Sequence, residues 1–325
     1  MDFMSFFGRY KWTIPLFLLV LIAGTSVVLA DRTPIPQNLT NYTDYPKITA
    51  YFEQYIQSVG PKKTQEAYLA LANTLTTKEA HILAHGFGDA LYKKIGTAGL
   101  SYCTDDFNYG CFHQFLGSAI ANQGLSAAQS IYSSCEVQKT ACRHSIGHGL
   151  VGYLGYSLSG LTQALDMCNT MSKTDNHNDS CLYGAFMEYD LRYLALFESP
   201  DAEPLALSKG EFGPCYSVET SYQKACMFLL PLWWSKLTTL TDLDGQFKEY
   251  GGRCAKITDP TLREACFEGI GYVAAFADKS DPSSASRLCA DAASDEPEKS
   301  YCATGVSQRL RGEAFIETIQ KSPRS

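Results

Sequence analysis

Five of the six histidines form a pattern that suits metal binding, with two equally spaced pairs and a single histidine between them. His81 and His85 are four residues apart. His144 and His148 repeat that spacing, and His113 stands alone between the two pairs. In a helix, residues four apart lie on one face, so two imidazoles at this spacing can bind the same ion. The sequence therefore predicts a metal site formed by these five side chains.

Carboxylates extend the predicted ligand set. Asp89 follows His85 by four residues and continues the same helical stripe. Because we expect the cysteines to form disulfides, the available donors are nitrogen and oxygen, which suit zinc, copper, iron or manganese. Glu188, Asp190 and Glu268 are further candidates for a ligand or a general base. The competing interpretation is that the histidines are structural and cap turns or bond backbone carbonyls at separate positions.

The twelve cysteines fall into six successive pairs whose members stand 7 to 13 residues apart. None of these spacings is the C-x-x-C of a zinc ribbon or a redox dithiol. Each pair spans a polar turn between two stretches with helical patterning, so we expect disulfides that join consecutive helices. The predicted bridges are Cys103–Cys111, Cys135–Cys142, Cys168–Cys181, Cys215–Cys226, Cys254–Cys266 and Cys289–Cys302.

The same segments align as an internal repeat. His113 and His144 occupy the same position, two residues after the second cysteine of a pair, and a segment around His81 fits this frame without cysteines. We predict an all-α fold of about seven disulfide-stapled helical hairpins between residues 46 and 321, arranged as an α-solenoid or a closed α/α toroid. Glycines recur in the second helices, which indicates close packing in an inner layer.

The first 30 residues have the pattern of an export segment. Arg9 and Lys11 precede an apolar run over residues 12–30. This pattern is typical of a secretory signal peptide or, if it is not cleaved, of a single membrane anchor. Residues 31–45 are a predicted linker, and residues 322–325 are a short tail.

An exported chain is expected to be secreted or held at the membrane by one N-terminal helix. Sequons at Asn38, Asn41 and Asn178 are then candidate glycosylation sites. The formal net charge of −7 gives no basic excess for binding nucleic acid. The sequence also lacks a P-loop, an H-E-x-x-H motif and a G-x-S-x-G motif, which excludes several familiar enzyme classes.

Three hypotheses of function follow. The first is an exported metal-binding protein, either non-catalytic or a metal-dependent hydrolase or oxidoreductase, with its site on the inner helices of the first three repeats. The alternative is a non-catalytic helical scaffold that binds an extracellular protein, peptide or glycan. A third interpretation makes the histidines a pH sensor.

Overall fold

The computed structural model describes residues 44–135, 139–172, 179–198, 203–207, 210–277 and 283–321. Within these ranges the protein is helical and contains no strand, so the predicted all-α class is confirmed. The predicted export segment and the asparagines of the three sequons lie outside the described residues. Among the residues that are described, no helix combines the length and the apolar character needed to cross a bilayer.

The described α-helices alternate between long and shorter elements, with one 3-10 helix at Gly96–Tyr102. In chain order they are α1 (Tyr45–Val59), α2 (Pro61–Ala72), α3 (Thr77–Ile95), α4 (Gly110–Gln123), α5 (Leu125–Ser134), α6 (Lys139–Leu154), α7 (Leu158–Ser172), α8 (Asp179–Leu191), α9 (Ala195–Glu198), α10 (Thr220–Leu237), α11 (Leu243–Cys254), α12 (Pro260–Ala277), α13 (Ser284–Ala292) and α14 (Glu296–Lys321).

The long helices pack against one another in chain order. α1 packs on α3, α3 on α4, α4 on α6, and α6 on α8. The series continues through α10 and α12 to α14. The shorter helices α2, α5, α7, α11 and α13 each contact the long helices that flank them in the chain. The apolar core lies between these two sets, and the long helices carry most of its fully buried side chains.

Six disulfides join the pairs that the cysteine spacing predicts, and the described residues contain no free cysteine. Every bridge connects residues 7 to 13 apart and ties the start of a long helix to the segment before it. Cys135, for example, ends α5, and Cys142 lies in the first turns of α6. Six disulfides indicate an extracellular or otherwise oxidising compartment.

Glycines allow the long helices to approach to backbone contact. A Cβ atom at Gly184 would overlap the carbonyl oxygen of His144, and one at Gly147 would overlap that of Cys181. α6 and α8 therefore touch through paired glycine faces, and the close packing predicted from the recurring glycines is confirmed. The same approach recurs between other long helices at Gly88, Gly269, Gly271 and Gly305.

Candidate metal centre

Three consecutive long helices carry the five histidines. α3 begins with a capping box in which Thr76 and Glu79 bond each other's backbone, and this fixes the start of the helix that bears His81 and His85. α4 bears His113 in its first turn, and α6 bears His144 and His148. Because α3 packs on α4 and α4 on α6, the five imidazoles meet in one cluster, here named the histidine centre.

The imidazoles form two groups of three that share one member. His81, His85 and His113 make the first group. His113, His144 and His148 make the second, and in each group the ligand atoms lie within 4.8 Å of one another. Either group has a geometry that can hold a metal ion. The structure thus brings together all five histidines that the sequence singled out.

Within each i, i+4 pair, the two Nε2 atoms face each other. They are 3.0 Å apart between His81 and His85, and 3.1 Å apart between His144 and His148. Two nitrogens bound to one ion at about 2.0–2.1 Å, with tetrahedral or square angles, stand about 2.8–3.4 Å apart. Both pairs therefore have the separation of two ligands on a common ion.

A hydrogen bond on the far side of the His81 ring fixes which of its nitrogens carries the hydrogen. Nδ1 of His81 donates to the carbonyl oxygen of Phe107 at 2.7 Å, and Nδ1 of His85 is 3.4 Å from Oε1 of Gln114. A neutral imidazole that donates from Nδ1 has its lone pair on Nε2. The lone pair of His81 consequently points at Nε2 of His85 across 3.0 Å, where either a hydrogen on Nε2 of His85 or a metal ion completes the contact.

Burial keeps the imidazoles neutral. Desolvation holds the pKa of His85 and of His148 well below the ordinary value, and the neighbouring histidines lower both further. Burial also lowers the pKa of His81, against the opposing hydrogen bond to Phe107. Neutral imidazole is the form that binds metal ions, so these rings can accept an ion without first losing a second proton.

His113 lies between the two pairs and has a different environment. Its side chain is buried, with 5% of the residue's surface exposed, and neither ring nitrogen has a hydrogen-bond partner. Its ring centroid is 5.5 Å from that of His85 and 4.4 Å from that of His148. Burial lowers its pKa well below the ordinary value, and the other four histidines add to this effect.

Glu188 supports the second group from behind. It accepts a hydrogen bond from Nδ1 of His148 at 2.8 Å, from the hydroxyl of Tyr156 at 2.6 Å and from the backbone amide of Leu194. It lies in neither group of ligands. A carboxylate in this position orients a ligating histidine and makes it a stronger donor. Glu188 therefore acts on the ring of His148.

Asp89 has other partners. Its carboxylate accepts hydrogen bonds from Ser118 at 2.8 Å and Thr49 at 3.3 Å, and it pairs with Lys93 at 2.8 Å. It lies in neither of the two histidine groups. Eight residues separate it from His81, which is about 12 Å along a helix at about 1.5 Å per residue. Asp89 thus lies on the same helical face as His81 and His85, but its carboxylate forms hydrogen bonds with α1 and α4.

Two further carboxylates from the sequence analysis also lie outside the two groups. Asp190 is 2% exposed, and neither of its carboxylate oxygens has a hydrogen-bond partner. Glu268 is half-buried, and burial raises its pKa against the attraction of Lys224. Arg143, next to His144, turns away and lies 4.5 Å over the ring of Tyr132. His177 lies outside the described residues.

The backbone before α4 is strained where it meets the centre. Phe107, Asn108 and Tyr109 have φ values of 53°, 52° and 62°, so three successive non-glycine residues are left-handed. Each such residue costs about 1–2 kcal/mol. This path turns the carbonyl of Phe107 toward Nδ1 of His81 and sets the ring of Tyr109 edge-on to His144, at 5.9 Å between centroids. Strain of this kind is concentrated at functional sites.

One side of the centre is more open than the other. His85, His113 and His148 are buried, whereas His81 and His144 are partly exposed, and Tyr109 stands beside them. Burial raises the pKa of Tyr109 to about 12, and Tyr272, Asp105 and Arg309 lie close enough to contribute. The partly exposed edge of the histidine centre is therefore the side on which Tyr109 lies.

The sequence analysis did not single out Gln114 or Tyr109, which contact the histidines in the structure. Gln114 follows His113 directly, and Tyr109 precedes it by four residues, so both are near a predicted ligand in the chain.

The chain matches no protein-family model, no curated protein and no solved structure. The geometry of the histidine centre is therefore the basis for assigning a function.

Proposed function

We propose that this protein is an exported metalloprotein whose histidine centre binds a transition-metal ion. The facing Nε2 atoms of His81 and His85, 3.0 Å apart, carry this proposal. The hydrogen bond from Nδ1 of His81 leaves its Nε2 lone pair directed at Nε2 of His85, and burial favours the neutral form of both rings. With the hydrogen of His85 on Nδ1, beside Gln114, both Nε2 atoms can bind one cation. The all-imidazole donor set favours zinc or copper over manganese.

The ligand count supports a reactive centre. Three imidazoles leave an ion with a vacant position for water or substrate, as in catalytic rather than structural zinc sites. Water or a substrate would reach that position from the partly exposed edge at His81 and His144. This favours a metal-dependent enzyme, either a hydrolase that activates water or an oxidoreductase. The scaffold alternative expects the histidines at separate junctions, so their meeting in one cluster argues against a purely structural role.

The hairpins supply the frame for this centre. The packing of each long helix on the next supports a repeat. Tyr272 of α12 and Arg309 of α14 affect the pKa of Tyr109, which directly precedes α4. This proximity of early and late helices supports closure into a ring. Six disulfides and the predicted segment at residues 1–30 support export, with membrane contact through that segment if it is retained. We include an extracellular protein, peptide or glycan among the proposed partners of this protein. Nucleic acid is not among them.

Elemental analysis of the oxidised full-length protein tests the metal proposal. After separate loading with zinc, copper, iron and manganese and removal of free ion, we expect retained zinc or copper in the parent protein. The His81→Ala/His85→Ala and His144→Ala/His148→Ala variants should each retain less, and His177→Ala should match the parent. Circular dichroism and a thiol count confirm that each variant is folded and oxidised. A parent protein that retains no zinc, copper, iron or manganese would overturn the proposal.

A further inference from the structure

We propose that the histidine centre holds two metal ions bridged by the imidazolate ring of His113. This inference rests on the proposed function, and it concerns the number of ions and the way in which they are linked. One ion would be bound by His81, His85 and one nitrogen of His113. The other would be bound by His144, His148 and the second nitrogen of the same ring.

The arrangement of the ligands favours two ions over one. Among the described residues, the five histidines form two overlapping groups of three and not a single group of five. Each outer pair already has the separation of two ligands on one ion, at 3.0 and 3.1 Å. A single ion could bind both Nε2 atoms of only one pair. The two Nε2 atoms of the other pair would then face each other with no ion between them.

The state of His113 points to a bridge. Both of its ring nitrogens are buried and lack a hydrogen-bond partner. A buried polar atom without a partner costs about 1–3 kcal/mol. Its ring is placed between the pairs, with centroids 5.7 and 5.5 Å from His81 and His85, and 5.5 and 4.4 Å from His144 and His148. One ion would satisfy one nitrogen, whereas a bridge satisfies both.

Formation of the bridge requires His113 to lose one ring proton. Neutral His113 carries one hydrogen on its ring and one lone pair on the other nitrogen. The first ion binds at the lone pair. The second ion displaces the ring proton, which is released to solvent, and takes the electron pair of the N–H bond. The resulting imidazolate has a charge of −1 and would offset part of the charge of the two divalent ions that share it.

Copper(II) titration followed by electron paramagnetic resonance tests this inference. In the parent protein, the first equivalent should give a mononuclear signal. The second should bind and reduce the integrated intensity, because an imidazolate bridge couples the two unpaired electrons. His113→Gln removes the bridging ring, so any copper that this variant binds should give an uncoupled signal. His81→Ala/His85→Ala leaves one group and should bind one copper with full intensity, even if the His113 variant does not fold.

The outcomes separate this inference from the metal proposal. Two ions that couple in the parent protein, with coupling lost in the variants, support the bridge. Saturation at one ion, or two ions with full uncoupled intensity, would overturn the bridge and leave the metal proposal standing. A parent protein that binds no copper, zinc, iron or manganese would overturn both.

Discussion

Glu188 accepts a hydrogen bond from Nδ1 of His148 at 2.8 Å, and neither side chain is exposed to solvent. The contact joins α8 to α6 and fixes the tautomer that presents Nε2 of His148 to the centre. Tyr156 and the amide of Leu194 hold the same carboxylate in place. Carboxylate–histidine pairs of this kind orient metal ligands in many proteins. Glu188 is therefore a positioning residue for the second group of histidines.

Replacing Glu188 should weaken metal binding without removing a ligand. For Glu188→Gln we expect a loss of about 10- to 100-fold in zinc affinity, because an amide is a weaker acceptor for Nδ1–H. Competition with a chromophoric chelator measures the affinity. Tyr156→Phe is the matched control, since it removes one bond to Glu188 and keeps the contact with His148, so its effect should be smaller. Unchanged affinity in Glu188→Gln would show that the contact does not tune the site.

The glycine contact between α6 and α8 should be essential for both stability and the site. Gly184→Ala adds a methyl group where the carbonyl oxygen of His144 lies, so the helices must separate. We expect a loss of about 1–3 kcal/mol in the free energy of unfolding and weaker metal binding.

Gly252→Ala is the matched control for this change. Gly252 is an exposed residue of α11, and a Cβ there meets no atom within 4 Å. This variant should be neutral or gain up to about 1 kcal/mol from helix propensity. Denaturant titration of both variants gives the comparison, and equal stabilities would contradict the backbone contact.

The left-handed backbone before α4 gives a third prediction, at Asn108. This residue is exposed and has φ of 52°, so substitutions there act mainly through the backbone. Asn108→Gly should keep or raise the free energy of unfolding by up to about 1 kcal/mol, because glycine adopts positive φ without a steric penalty.

Asn108→Val should have the opposite effect. A β-branched residue disfavours this conformation, so we expect a loss of about 1–2 kcal/mol and, through displacement of the Phe107 carbonyl, weaker metal binding. Thermal unfolding and the zinc competition assay measure the two effects. A valine variant as stable as the parent protein would argue that the segment can relax without cost.

Asp190 should make the stability of the protein depend on pH. Burial raises the pKa of its carboxyl from 3.8 to about 8. Between about pH 4 and about pH 8 the folded state keeps a proton that the unfolded state has lost, so stability falls as pH rises through this window. The limiting slope is about 1.4 kcal/mol per pH unit.

Asp190→Asn removes this titration. The stability of the variant relative to the metal-free parent should therefore grow as the pH is raised from about 5 to about 7.5. Chemical denaturation at each pH provides the difference, which cancels contributions from groups common to both proteins. A difference that stays constant with pH would show that Asp190 is already ionised in the folded state.

Local sequence relationships determined the helices, the bridges and the ligand candidates. Cysteines 7 to 13 residues apart across a turn have few other partners within reach, so their pairing followed from spacing. The i, i+4 spacing of His81 and His85, and of His144 and His148, placed each pair on one helical face once the helices were recognised. The predicted export segment also depends on sequence alone, since it lies outside the described residues.

Contacts between helices were decided by the tertiary structure. Spacing offered Asp89 as a ligand, yet packing of α4 and α1 gave its carboxylate to Ser118 and Thr49. Glu188 reaches His148 from 40 residues away, and His113 falls between the two pairs only because α4 packs between α3 and α6. Side-chain periodicity specifies the face on which a residue lies, whereas the helix–helix distance, set by the glycine contacts, decides which residue it meets.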